Sequence, residues 1–208
     1  MKEVKQSKIS YWDNYLSEAE SIILRCFFPE GEEMTIKQFQ EKSRYSYERV
    51  YSSLKELIKK NTVSEKRIGK TLVYSLDFNN PYSKLAFNHY STERLIEFSK
   101  RHLIINKAIS ELEEEPIEIM FIFGSYSKGI ETKSSDIDLM IVSDNKSEIE
   151  KAVHGLKYQY GLDIALVFVK RSEFHKIKIE NPELWQDIKK NALLFKGVDI
   201  FYYWMYKK

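Results

Sequence analysis

Asp136 and Asp138 stand two residues apart in Ser135-Asp136-Ile137-Asp138-Leu139. The segment reads as a strand. Strand side chains alternate between faces, so both carboxylates are expected on one face, with Ile137 and Leu139 turned the other way into a core. Two acids side by side repel each other unless a cation sits between them. Mg²⁺ or Mn²⁺ suits such a pair, because a hard divalent ion takes one or two protein carboxylates and fills its shell with water and phosphate oxygens. The pattern points to phosphate-transfer chemistry assisted by divalent metal.

Phosphate needs a cradle, and Gly124-Ser125 supplies a candidate. It follows the apolar run Ile117 to Phe123 and sits where a strand ends and a short helix can begin. Glycine allows the backbone close to a phosphate, helix-start amides favour anions, and the Ser125 hydroxyl adds a donor. Lys128 brings positive charge to the same phosphates, and Gly129 lets the chain turn away. Asp163 opens the apolar run Ile164 to Val169. If that strand neighbours the Asp136/Asp138 strand, its carboxylate completes a three-acid metal site and helps deprotonate an acceptor hydroxyl.

The ordered set is Gly124-Ser125, then Gly129, then Ser135-Asp136-Ile137-Asp138-Leu139, then a later strand acid. It resembles the signature of the DNA polymerase β-like nucleotidyltransferase superfamily, and most closely its minimal single-domain members. The resemblance spans roughly residues 92 to 204 and includes the late Gly197-Val198 segment. It implies a small mixed sheet flanked by helices and a nucleoside triphosphate substrate, with ATP the expected one. It also implies that Gly124 and Ser125 hold the triphosphate, Asp136 and Asp138 the ions, and Asp163 the third carboxylate. Relatives of this kind include drug-modifying enzymes and antitoxins that nucleotidylate a partner toxin, so a protein acceptor is one expectation. Many members carry Ala-Arg where this chain has Ser127-Lys128; lysine keeps the charge but loses the bidentate fork.

Three segments must position these residues. Residues 1–80 read as three helices and a hairpin, which resembles a winged helix-turn-helix domain. Ser17-Glu18-Ala19-Glu20 and Thr35-Ile36-Lys37-Gln38 are capping boxes, and the first helix is expected to stop at Pro29 and Gly31. Val50, Leu54, Leu57 and Ile58 form one helical stripe. Val63 to Ile68 and Thr71 to Leu76, joined at Gly69-Lys70, form the hairpin. Residues 81–115 read as a helical linker starting at Pro81, with a break near Asn88 to Ser91, ending in the first helix of the next domain. Residues 116–208 read as α/β: strands at 117–123, 137–142 and 162–169, helices at 146–158, 171–179 and 182–190, and a β-leaning tail from Ala192 to Tyr202.

The chain as a whole carries a net charge of +2, which does not announce a nucleic-acid partner. The stretch Lys42 to Lys70 does: nine basic residues against three acids leave it at +6. In a winged helix, Arg44, Tyr45, Tyr47 and Arg49 lie near the start of the recognition helix, and Lys66, Arg67 and Lys70 lie on the wing. DNA is therefore an expected partner. Winged helices also serve as dimerisation modules, so a homodimer is a further expectation, as is a regulator whose second domain senses nucleotide without turnover.

Other features are read as structural. Cys26 lies in an apolar run and is expected in a core. Met1 to Lys5 is charged, unlike a signal peptide, and no run of apolar residues approaches a bilayer span. A cytoplasmic protein without a membrane partner is expected, and Asn145-Lys146-Ser147 is then a chance glycosylation match. His89, His102, His154 and His175 show no zinc spacing. Trp12, Trp185, Trp204 and the Tyr202-Tyr203-Trp204 tail are read as packing.

Overall fold

The structure is a computed structural model, and it describes residues 16–29 and 33–206. Met1 to Lys5, Trp12 and Gly31 lie outside the described residues. The chain divides into two compact units, with the division between Ala86 and Phe87. Among the described residues, no helix is long and apolar enough to cross a membrane.

In the first unit, α1 (Glu18–Cys26), α2 (Ile36–Ser43) and α3 (Tyr47–Lys59) precede the hairpin β1 (Val63–Ile68) and β2 (Thr71–Leu76). Both capping boxes form: the Ser17 and Thr35 hydroxyls take first-turn amides while Glu20 and Gln38 reach back. Ile23, Leu24, Phe27, Phe39, Val50, Leu54 and Leu57 are buried, and Phe27 meets Phe39 edge-on at 5.0 Å. Ile58 is only half-buried, at the rim of its stripe. Met34 and Tyr74 exchange both backbone hydrogen bonds (2.9 and 2.8 Å), which adds a single bridge to the hairpin. β1 buries only Val63, so the rest of that strand faces solvent.

Helix α4 (Pro81–Arg101) runs without the break expected near Asn88 to Ser91. Local propensity is overridden by packing: Phe87 stacks on Tyr202 at 4.7 Å, and Ser91 is buried with its hydroxyl donating to the Tyr202 oxygen at 3.5 Å. The interruption comes later, at His102, before α5 (Leu103–Ser110) and a 3₁₀ turn at Glu111–Glu114.

The rest of the second unit is β3 (Ile119–Ile122), α6 (Gly124–Lys128), β4 (Ile137–Val142), α7 (Lys146–Tyr160), β5 (Ile164–Val169), α8 (Arg171–Phe174), α9 (Ile177–Glu180), α10 (Pro182–Asn191), β6 (Leu193–Lys196) and α11 (Val198–Tyr206). The strands form one mixed sheet in the order β5-β4-β3-β6. β4 and β5 are parallel, joined through α7, and the other pairs are antiparallel. One face packs Ile137, Leu139 and Ile141 of β4 with Ile105 and Ile109 of α5 and Ile149, Val153 and Leu156 of α7. On β3, Phe121 meets Phe201 of α11 at 5.4 Å.

Three sequence expectations change here. The segment from Arg171 is two short helices, not one. β5 begins at Ile164, which leaves Asp163 just before the strand. The tail turns helical after Gly197, because Phe201, Tyr202 and Met205 fall on one buried helical face, and this outweighs their β-propensity.

Gly155 lies exposed inside α7, and a Cβ there meets nothing within 4 Å. Gly155→Ala is expected to raise stability by about 0.5–1 kcal/mol, read as a shift in the denaturation midpoint, because glycine loses more backbone entropy in a helix.

Candidate active site

The register of β3 on β4 ends with Ile122 opposite Leu139. The chain therefore leaves β3 level with Asp138, and the Phe123 amide donates to the Asp138 carbonyl at 3.0 Å. Gly124 then starts α6 with a φ of +69°, a left-handed conformation that glycine adopts without strain. It has a second reason to be glycine. A Cβ on Gly124 would lie 2.0 Å from Asp138 Oδ2, so the carboxylate occupies the space that any side chain here would need. Phe123 offers no capping side chain, which leaves the first-turn amides of α6 open to an anion. The Ser127 hydroxyl donates to the Gly124 carbonyl at 3.1 Å, and Gly129 closes the helix in the left-handed conformation.

Asp138 is half-buried in β4 and Asp136 is exposed just before it. Burial raises the Asp138 carboxyl above its ordinary value, the charge of Asp136 raises it further, and Lys128 opposes the rise. Burial is the larger cause, and the neighbouring Asp136 charge adds to it. Asp163 is brought beside this pair by the sheet: Ile137 pairs with Ile164 in parallel register, and the Ile137 amide donates to the Asp163 carbonyl at 2.8 Å. Among the described residues, however, no group of three or more His, Cys, Asp or Glu side chains is placed to hold a metal ion. The sheet makes Asp163 a neighbour, while Asp136 and Asp138 are the acids that share a field.

Those two carboxylates fit a hard divalent ion, which commonly takes one or two from its protein. The raised Asp138 carboxyl is what such a cation would relieve.

Side chains not singled out in the sequence hold this region. The Lys128 ammonium lies 2.7 Å from Asp187 of α10, and the Asn191 amide donates to that same carboxylate at 2.8 Å. Arg94 of α4 donates to the carbonyls of Ala192 (2.7 Å), Asn191 (2.9 Å) and Ser127 (3.1 Å), tying the end of α10 to α6. His102 lies 3.0 Å from Glu131, too poorly aligned for a hydrogen bond, and its ring meets Tyr126 edge-on at 5.4 Å. The junction of α4 and α5 thus grips the loop that leads from α6 to Asp136. Arg94 is separated from its partners by 33 to 98 residues, and no local pattern announces contacts of that range.

Residues 106–200 match the family model of polymerase beta nucleotidyltransferases. Over that stretch the second unit is similar to a nucleotidyltransferase domain of that type. Among curated proteins, none matches the chain. The nucleotidyltransferase match begins inside α5 and ends in α11, so it covers the sheet, Gly124, Ser125, Lys128, Gly129 and all three aspartates.

The first unit offers a separate surface. Arg44 is exposed and holds a left-handed φ of +59° at the end of α2, a conformation rarely given to arginine. Arg49 lies over the Tyr45 ring at 4.0 Å. Tyr47 and Tyr51 are exposed and stack nearly parallel at 5.9 Å, with the Lys55 ammonium 5.3 Å from the Tyr51 ring. The sequence reading counts Lys55 in the basic stretch but names neither it nor Tyr51 as a contact residue, although their i, i+4 spacing is visible. Lys66 pairs with Glu33 and Lys60 with Glu20, so acids from outside the basic stretch offset part of its charge. Arg67 and Lys70 are exposed on the hairpin.

Proposed function

We propose that this chain moves a nucleoside monophosphate from a nucleoside triphosphate, ATP by expectation, to an acceptor hydroxyl. The Asp138 carboxylate lodged against Gly124, with Asp136 beside it, is the observation that carries this reading. It brings two carboxylates suited to a divalent ion against a glycine turn suited to phosphate. In the reaction, the acceptor oxygen bonds to the α-phosphorus, the bond to the bridging oxygen breaks, and pyrophosphate leaves.

Asp136 and Asp138 would hold Mg²⁺ or Mn²⁺, which neutralises triphosphate charge when bound. Gly124 and Ser125 bind the phosphates through amides and hydroxyl, Lys128 adds charge, and Gly129 turns the chain away. Asp163, which stands just before β5 with its carbonyl accepting from the Ile137 amide, is assigned the acceptor proton and the role of third carboxylate. The acceptor is a small molecule, a nucleic-acid end or a protein side chain. Incubating the protein with labelled nucleoside triphosphates, Mg²⁺ or Mn²⁺, and host lysate tests the reading. A labelled product names the acceptor class, and the absence of any label transfer argues against turnover.

The first unit favours a companion role. Three helices followed by a hairpin, with one extra bridge at Met34 and Tyr74, suit a winged helix, and α3 with the hairpin presents Arg44, Tyr45, Tyr47, Arg49, Lys66, Arg67 and Lys70. We read this surface as DNA-binding. In the alternative, the chain is a DNA-binding regulator, dimeric or not, whose second domain senses nucleotide. Arg49→Ala with Arg67→Ala is expected to weaken duplex binding by at least tenfold at about 100 mM salt, and to flatten the plot of log K against log salt by about two. Equal affinity and slope for variant and wild type would remove the DNA-binding assignment.

A further inference from the structure

Lysine at a phosphate site is useful only if its ammonium is where the phosphates arrive. Lys128 is the last residue of α6, with a flexible stem whose ordering costs up to about 2 kcal/mol. In this structure it is not left to solvent. Its ammonium is 2.7 Å from Asp187, with both side chains about one-third exposed. Asp187 is itself held, by the Asn191 side-chain amide one helical turn along α10. The backbones beneath both partners are held too, since the Arg94 guanidinium donates to Ser127 at the end of α6 and to Asn191 and Ala192 at the end of α10. The Lys128 charge still reaches Asp138. Lys128 ends the same short helix that Gly124 begins against the Asp138 carboxylate, so the ion pair with α10 is anchored on the element that flanks the acidic pair.

We propose that Asp187 is a positioning residue that holds Lys128 at the edge of the Asp136/Asp138 pair, ready to meet the phosphates of the incoming nucleoside triphosphate. This inference rests on the nucleotidyltransferase reading given above. A pair as exposed as this adds little to folding, commonly under about 1 kcal/mol. Four fixed contacts around one surface ion pair make better sense as pre-organisation. The rotamer freedom of Lys128 is given up in folding rather than when nucleotide binds. Asp187 acts through Lys128 and has no role in the chemical step, so its loss should raise KM for the triphosphate and leave kcat nearly unchanged.

The test is calorimetric titration of ATP with Mg²⁺ into the wild type, Lys128→Met, Asp187→Asn, Asp187→Glu and the double variant Lys128→Met/Asp187→Asn. The titration is repeated with GTP, CTP and UTP. Asp187→Asn is expected to weaken binding about threefold to tenfold, and Lys128→Met at least as much. The double variant should be no weaker than Lys128→Met alone, since the two act as one unit. Asp187→Glu should restore part of the loss, and the thermal midpoint should stay within about 1 °C of wild type, which a structural role would not allow. Tighter or unchanged binding in Asp187→Asn, with Lys128→Met weakened, overturns the proposal. It would mark Asp187 as a competitor or a bystander. Failure of the wild type to bind any of the four nucleotides overturns the nucleotidyltransferase reading itself, and this inference with it.

Discussion

Combining Asp136→Asn with Asp138→Asn is expected to cut transfer of labelled nucleotide by at least about a thousandfold, on the order of 4 kcal/mol in barrier, while the fold survives. The acids sit at the start of β4, and the core beneath them is built by Ile137, Leu139 and Ile141 on the opposite face. Asparagine keeps the shape and removes the charge. Metal binding should go with it: Mg²⁺ is expected to raise the thermal midpoint of the wild type by stabilising the folded form, and to have no such effect on the double variant. Transfer that persists near the wild-type rate would mean that the chemistry lies elsewhere.

The same pair sets a pH dependence with a definite sign. Asp138 holds its proton more tightly when folded than when unfolded, because of burial and the neighbouring Asp136 charge. Without metal, its contribution to stability is therefore present below the ordinary carboxylate range, and is lost as pH rises through its raised folded value. Asp138→Asn removes this slope and leaves the metal-free protein at least as stable near neutrality. Metal loading and activity are expected to run the other way, falling as pH drops and Asp138 takes up a proton. Unfolding curves in chelator across pH 3 to 8 compare the two proteins. A wild type that gains stability on passing upward through that range by more than the variant does would contradict this account.

Gly124→Ala is the second change expected to be large. Its Cβ would fall 2.0 Å from Asp138 Oδ2, and the backbone already sits at φ +69°. The conformation alone costs alanine about 1–2 kcal/mol. Asp138 must also swing out of its place, and misplacing a reacting group by about 1 Å can cost roughly a hundredfold in rate. Activity should therefore fall about a hundredfold or more in a protein that still folds. Weakened nucleotide binding and weakened metal binding should appear together in this one variant, because the residue touches both halves of the site. Wild-type affinity for Mn²⁺, followed by its electron paramagnetic resonance signal, would show that Asp138 had not moved.

Much of this was legible in the residue order. Hairpin boundaries at Val63, Ile68, Thr71 and Leu76, both capping boxes and β4 at Ile137–Val142 follow from local rules: turn residues, reciprocal hydrogen bonds and short alternating or apolar runs. The acidic pair was visible for the same reason, since alternation along one strand fixes the face of both carboxylates. Local propensity misread the places where a distant partner decides. Asn88 to Ser91 stays helical because Phe87 and Ser91 pack on Tyr202, and the aromatic tail becomes a helix because it has one buried helical face against β3.

The sequence by itself determined which chemical groups are present: a Gly-Ser turn after an apolar strand, two acids on one strand face, and a lysine between turn and acids in the chain. Spacing within a single element is enough to set those relations. Only the tertiary structure decided what those groups meet. The β3–β4 register puts Asp138 into the space Gly124 leaves open, the parallel β4–β5 pairing sets Asp163 next to Asp136, and α10 supplies Asp187 to Lys128 from 59 residues away. Such meetings depend on how strands align and helices pack across long stretches of chain. That alignment is a property of the closed core, which no short window of sequence contains.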